Sequence, residues 1–290
     1  MISASLVKEL REKTGAGMLD CKKALEATNG SIDLSIDWLR EKGISKAAKK
    51  NDRIAAEGMA SILVKNNDAV IVEINSETDF VAKNDEFKSM VDEILSVLID
   101  ANVSTVDEAL ELTTSEGTIA DLIITKTAKI GEKLSLRRFV KVSANSDEHF
   151  GSYIHMGGQI AVLTLVKGAN TEVAKDVAMH AAAMRPLYVS KNEVSSNEIE
   201  HEKIILKEQA INEGKSADIA EKMVEGRILK FYKEVCLEEQ AFVKNGDINV
   251  ATYVANNGGS ILKMVRYEVG EGMEKKCDNF AEEVMNQVNN

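Results

Sequence analysis

A chain of 290 residues can bury a sizeable core in two or three folding units, so a single domain is not expected. The composition, 44% hydrophobic and 29% charged, is that of a globular protein, while 4% aromatic residues and a lone proline, Pro186, favour helices over strands. The net charge of −11 argues against direct nucleic-acid binding, and the apolar runs fall well short of the roughly 20 residues needed to cross a bilayer.

A cytoplasmic protein without membrane attachment is therefore expected, and its odd, scattered cysteines (Cys21, Cys236, Cys277) suggest reduced thiols. Charge is uneven along the chain. Residues 1–54 carry 11 Lys+Arg against 8 Asp+Glu, whereas the remainder carries 25 against 39. A basic head on an acidic body suits a protein partner with complementary patches.

The first 43 residues read as three short helices. Leu6, Val7 and Leu10 mark the first, Met18, Cys21 and Leu25 the second, and Ile32, Ile36 and Leu39 the third. Gly15-Ala16-Gly17, Asn29-Gly30 with Ser31 as N-cap, and Gly43 are read as end signals. Ser45 to Asp52 lacks an apolar stripe and reads as a charged linker, so that residues 1–54 form one domain.

From Gly58 the period becomes that of strands. Met59 to Val64, a turn at Asn66-Asn67-Asp68 and Ala69 to Ile74 predict a hairpin, followed by a helix whose stripe is Phe87, Met90, Val91, Ile94 and Leu98. A helix over Ile119 to Lys129 and a strand over Leu134 to Val142 complete a unit spanning 55–143. The order then recurs in 144–269. Phe150 to Met156, Gly157-Gly158 and Ile160 to Val166 predict a second hairpin, then comes a helix with Val173, Val177 and Met184, and finally a strand over Ile261 to Val269. Val81-Ala82-Lys83 even reappears as Val173-Ala174-Lys175. The reading is an internal duplication within an α+β core.

Inserted in the second unit, 195–235 predicts a helical hairpin opening on the capping box Ser195-x-x-Glu198. One arm carries Ile199, Ile204, Ile205 and Ile211; the other carries Ala220, Val224, Ile228, Phe231 and Val235, and the pair would form a coiled-coil projection or lie on the core. Residues 270–290 predict a terminal amphipathic helix with Phe280, Val284 and Val288.

Catalytic and cofactor signatures are missing from the sequence. The four histidines are scattered, and no His-Glu-x-x-His, Cys-x-x-Cys, Gly-x-Ser-x-Gly, Walker loop or Gly-x-Gly-x-x-Gly occurs. No cofactor, metal or covalent chemistry is expected, although 47 acidic residues leave an acidic-site hydrolase open as a reading.

Ser76-Glu77-Thr78-Asp79-Phe80-Val81-Ala82-Lys83 sets a large aromatic among polar residues where strand gives way to helix. The stretch resembles the Thr-Asp-Phe-Val motif of bacterial elongation factor Ts, the nucleotide exchange factor for elongation factor Tu. The resemblance continues through Leu6 to Leu25, Ala128 to Glu132, Ser152 to His155, Ala220 to Arg227 and Arg266 to Gly272. It implies a ubiquitin-associated-like head, and a partner, elongation factor Tu, bound first with GDP and then free of nucleotide. It further implies that Thr78, Asp79, Phe80 and Val81 meet the GTPase domain, with the Phe80 ring disturbing the site of Mg²⁺ and phosphates. By the same likeness Arg11, Met18 and Leu19 touch a helix of that domain, Ile130 and Gly131 extend the contact, and the terminal helix reaches it too. His155 and Val243 then face the partner's distal domain, and the helical hairpin is a dimer arm giving a homodimer or 2:2 complex, or else an intramolecular projection. Gln159 departs from the family, where a basic residue commonly follows the paired glycines.

Read without the resemblance, Phe80 lies seven residues before Phe87 and could share its buried helical face, although Lys83 and Asn84 interrupt that stripe. Met18, Leu19, Arg11 and His155 then read as core, solvated or incidental residues. A protein–protein adaptor without exchange activity is the alternative function.

Overall fold

The computed structural model describes residues 2–14 and 16–274. The terminal helix expected around Phe280, Val284 and Val288 lies outside the described residues.

Three helices open the chain: α1 (Ala4–Thr14), α2 (Met18–Ala27) and α3 (Ile32–Ala48). Leu10, Cys21, Ala24 and Leu25 are fully buried between them, with Leu6, Val7, Ile32, Ile36 and Leu39 packed around. α2 ends where Asn29 and Gly30 enter the left-handed region (φ 53° and 84°), and the Ser31 hydroxyl accepts the Leu34 N–H at the start of α3. Gly43, expected to stop this helix, lies buried within it. A Cβ there would stand 3.4 Å from the Ala128 Cβ, so the residue is small because α3 crosses another helix at that point. The first four residues of the expected linker are therefore helical.

The first unit begins with the hairpin β1 (Glu57–Lys65) and β2 (Asp68–Ser76), paired from Glu57↔Ser76 to Lys65↔Asp68 around Asn66-Asn67. After the one-turn helix α4 (Asp79–Ala82) come α5 (Asp85–Asp100), α6 (Val106–Leu110), the two-residue strands β3 (Thr113–Thr114) and β4 (Gly117–Thr118), and α7 (Ile119–Ile130). β5 (Ser135–Ser143) then pairs with β2, giving the order β1-β2-β5. The stripe Phe87, Met90, Val91, Ile94 and Leu98 is buried against Val70, Val72 and Ile74 of β2, as its period requires.

The second unit repeats the topology. β6 (Glu148–His155) and β7 (Ile160–Lys167) form the hairpin, α8 (Thr171–Met184) covers it, and β10 (Ser260–Glu268) pairs with β7 to give β6-β7-β10. Between α8 and β10 stand α9 (Ser196–Asn212), α10 (Ala217–Val235), the ribbon β8 (Ala241–Phe242) and β9 (Asn245–Asn249), and α11 (Val250–Asn256). α8 lies so close on β6 that a Cβ at Gly151 would meet the Ala174 carbonyl at 2.1 Å.

The two sheets face each other. Ala60, Ala69, Ile71 and Val142 of one pack on Phe150, Ala161, Leu163, Leu165 and Tyr267 of the other, while α5 and α7 cover one outer face and α8 and α11 the other. The glycine turn of the second hairpin leans on the first: the Ala60 N–H donates to the Gly158 carbonyl at 2.8 Å.

α9 and α10 pack together through Ala210, Ala220, Val224 and Ile228, laced by Lys207–Glu221 (3.3 Å) and Arg227–Glu213 (2.6 Å). Ile204 and Ile211, expected in that seam, are exposed instead, because small alanines bring the helices together on another face. Met184, expected on the buried face of α8, is also exposed. Ser195 caps α9, but the Glu198 carboxylate accepts the Tyr188 hydroxyl at 2.6 Å. Among the described residues no helix is long and apolar enough to cross a membrane.

Candidate functional site

Two N-caps within seven residues shape the Phe80 segment. The Thr78 hydroxyl accepts the Val81 N–H (3.4 Å) to start α4, and the Asn84 side chain accepts the Glu86 N–H (2.8 Å) to start α5. The chain thus makes one helical turn, stops and restarts. That restart explains why Phe80 does not share the buried face of Phe87: the two residues belong to different helices. Phe80 is 79% exposed, whereas Ala82 is buried and Val81 packs on the α5–α7 core. The core reading of Phe80 is thereby overturned.

Around the ring the chemistry is mixed. Asp79, in the first turn where the helix dipole favours an anion, pairs with Lys83 at 2.6 Å. The Lys83 hydrogen bond holds the Asp79 carboxyl below the usual carboxylate range. The same ammonium stands 5.9 Å from the centre of the Phe80 ring. Phe80 borders a groove of about 1120 Å³ between the units, whose other walls include Arg53, Ile54, Lys88, Met156 and Gln159. Met156, in the turn after β6, is 73% exposed, so each unit contributes one large apolar side chain to the same groove.

Ile130 and Gly131 end α7, with Gly131 in the left-handed conformation (φ 91°) that closes the helix. The next residue, Glu132, accepts both the N–H (2.9 Å) and the hydroxyl (2.7 Å) of Thr78. The fold therefore brings the Ile130–Gly131 turn to the base of α4, more than 50 positions back along the chain. His155 is exposed at the end of β6, stacked beside Tyr153 with ring centroids 6.0 Å apart, and adjoins the groove through Met156.

Val243 lies outside that groove, exposed between β8 and β9. Its N–H donates to His180 Nδ1 (3.2 Å), and the opposite ring nitrogen of His180 meets Gln240 at 2.9 Å. Burial pushes the His180 pKa down, which suits a neutral ring accepting at Nδ1 and donating at Nε2.

In the three-helix module Arg11, Met18 and Leu19 are all exposed, Met18 to 61% and Leu19 to 74%. Met18 therefore does not belong to the core stripe of α2 that its spacing suggested. Gly17 precedes the helix without a side-chain cap, which leaves both apolar residues on an open first turn. The module docks on the rest through Arg40–Asp121 (2.9 Å) and the Gly43–Ala128 crossing.

Glu132 and Met156 carry part of this arrangement, and the sequence assigns neither of them a role at the site. No local pattern marks a carboxylate whose partner lies 54 positions away. A family model described as Elongation factor TS matches residues 77–271, about two-thirds of the chain, from the base of α4 to the turn after β10. By that match the chain belongs to the elongation factor Ts family and is a translation elongation factor of protein biosynthesis.

Proposed function

We propose that this protein binds elongation factor Tu carrying GDP, speeds release of the nucleotide and yields the GTPase to GTP. The observation that carries the reading is the presentation of Phe80: an exposed aromatic ring on a single helical turn whose following residues are sunk in the core. An apolar side chain held in water by a rigid mount gains free energy when a partner covers it.

Exchange requires differential binding. The factor must prefer the nucleotide-free GTPase, and by reciprocity it then weakens nucleotide by the factor by which nucleotide weakens it. In this reading the Phe80 ring, with Thr78, Asp79 and Val81 at its base, enters the partner beside Mg²⁺. Displacing the metal removes the cation that offsets the diphosphate charge, and GDP leaves faster. Arg11, Met18 and Leu19 grip the GTPase domain from the head, Ile130 and Gly131 extend the Phe80 contact, and His155 and Val243 meet the distal domain. No covalent bond is made or broken.

The test is release of fluorescent GDP from elongation factor Tu with substoichiometric amounts of this protein. Acceleration, sustained over many turnovers by excess unlabelled nucleotide that frees the factor from the complex, is expected. Unchanged release with both proteins folded sinks the reading, and binding without acceleration would mark an adaptor.

A further inference from the structure

A helix of four residues has too few internal hydrogen bonds to persist alone, so α4 aims Phe80 only as firmly as its surroundings hold it. On the core side the anchors are Ala82 and Val81. Behind the helix the anchor is a crossed pair of carboxylates. Glu132 accepts the N–H and hydroxyl of Thr78 at 2.9 and 2.7 Å. Glu77 in turn accepts the Lys133 N–H at 2.6 Å, and both of its oxygens lie 3.2 Å from Arg53 Nη1. Each carboxylate thus takes a donor from the residue adjoining the other.

The linker from the three-helix module enters the same knot. Lys133 Nζ donates to the carbonyls of Asn51 (2.6 Å) and Arg53 (3.0 Å), and Lys50 donates to the Gly131 carbonyl. Three chain segments therefore meet at the base of α4. Charge-assisted bonds of this kind are about twice as strong as neutral ones, and those of Glu132 fall on the residue that caps α4.

We infer that Glu132 is a positioning residue for nucleotide exchange: through Thr78 it fixes the direction of α4 and of Phe80, and it shares that anchorage with the head linker and the Ile130–Gly131 turn. Glu132 acts through Thr78 and needs no contact with the partner. The inference rests on the exchange reading proposed above.

The experiment compares wild type, Glu132→Ala, Glu132→Gln, Phe80→Ala and the double variant Glu132→Ala/Phe80→Ala. Two quantities are measured: amide hydrogen exchange at Thr78 and Val81, and GDP release from elongation factor Tu over a range of factor concentrations. Glu132→Ala is expected to speed amide exchange at Thr78 and to lower the saturating release rate about tenfold, with the half-saturating concentration moved less than about twofold. Glu132→Gln, which keeps one acceptor oxygen for the Thr78 hydroxyl, should fall between, and supplies the comparison if the alanine variant does not fold. The double variant should be no slower than Phe80→Ala. Unchanged Thr78 protection in Glu132→Ala overturns the clasp itself. Lost protection with a wild-type saturating rate, or losses that multiply in the double variant, overturns its action through Phe80. A folded wild type that fails to release GDP overturns the exchange reading and the role of Glu132 with it.

Discussion

Glu73 and Gly270, 197 positions apart, share a hydrogen bond: the Gly270 N–H donates to Glu73 Oε1 at 2.9 Å. The carboxylate is fully buried at the edge of the inter-sheet core and also accepts Arg137 Nη1 (2.8 Å), Arg138 Nε (2.6 Å) and Asn75 Nδ2 (3.1 Å). Two consecutive arginines reach one carboxylate because a bulge in β5 interrupts the alternation there. Burial alone would raise the Glu73 pKa, but the Gly270 amide and the two guanidinium groups outweigh it and hold the carboxyl below its ordinary value.

Replacing Glu73 by Gln should therefore destabilise the fold by about 2 to 3 kcal/mol, because two guanidinium groups lose their shared counter-charge inside the structure. Urea unfolding should show a lower midpoint at unchanged slope. A shift under about 0.5 kcal/mol would mean that the arginines find water instead.

The same group sets part of the acid limb of stability. Its folded pKa lies below the unfolded value, so as pH falls the unfolded chain takes up the proton first and folding loses free energy. The contribution is complete above the ordinary glutamate range, near about pH 4.3, and disappears as pH drops through the lower folded value. Unfolding free energy measured in that window should fall less steeply for Glu73→Gln than for wild type.

Phe80→Ala should leave stability within about 0.5 kcal/mol of wild type, as expected for a side chain exposed in the free protein. GDP release from elongation factor Tu should slow by about tenfold or more, the loss typical of an aromatic anchor. A fall in Tm with unaltered release would invert this assignment.

At Gly43 the α3–α7 crossing leaves room for one carbon, with the Ala128 Cβ 3.4 Å away. Gly43→Ala should stabilise by about 0.5 to 1 kcal/mol, since it lowers the entropy cost of a mid-helix glycine. Gly43→Leu should instead cost about 1 to 3 kcal/mol by forcing the helices apart. Thermal melts of the pair, moving in opposite directions, check the claim.

Periodicity carried the long elements. The two hairpins, the α5 stripe and the return strand of each unit are where alternation or three-four spacing placed them, because each buries one face over many residues. Short elements such as α6, β3, β4 and β8 hold too few residues to display a period, and only α6 has a start signal, the capping box Thr105-x-x-Glu108. Gly43 misled for a different reason: a glycine at a helix end and one at a helix crossing look alike until the second helix is known. Ile204 and Ile211 misled because Ala210 and Ala220 took the contact. At the site, likeness to a family singled out Phe80, while Asn84 supplied the physical cause of its exposure by ending the turn. Glu77 and Glu132 lie in stretches that carry the resemblance, but their bonds could not be read there, since they depend on how α7 returns to β2.

In both halves the first three pieces follow one another closely, and everything additional hangs between the covering helix and the last strand: α6 to α7 in one, α9 to α11 in the other. That joint lies outside the hydrogen-bonded ladder of either sheet. α7 and α11 are built into the cover of the two sheets, whereas α9 and α10 give no residue to either core, so of these insertions the α9–α10 pair can change length without uncovering a sheet. The groove beside Phe80 takes no part of its lining from α9 or α10.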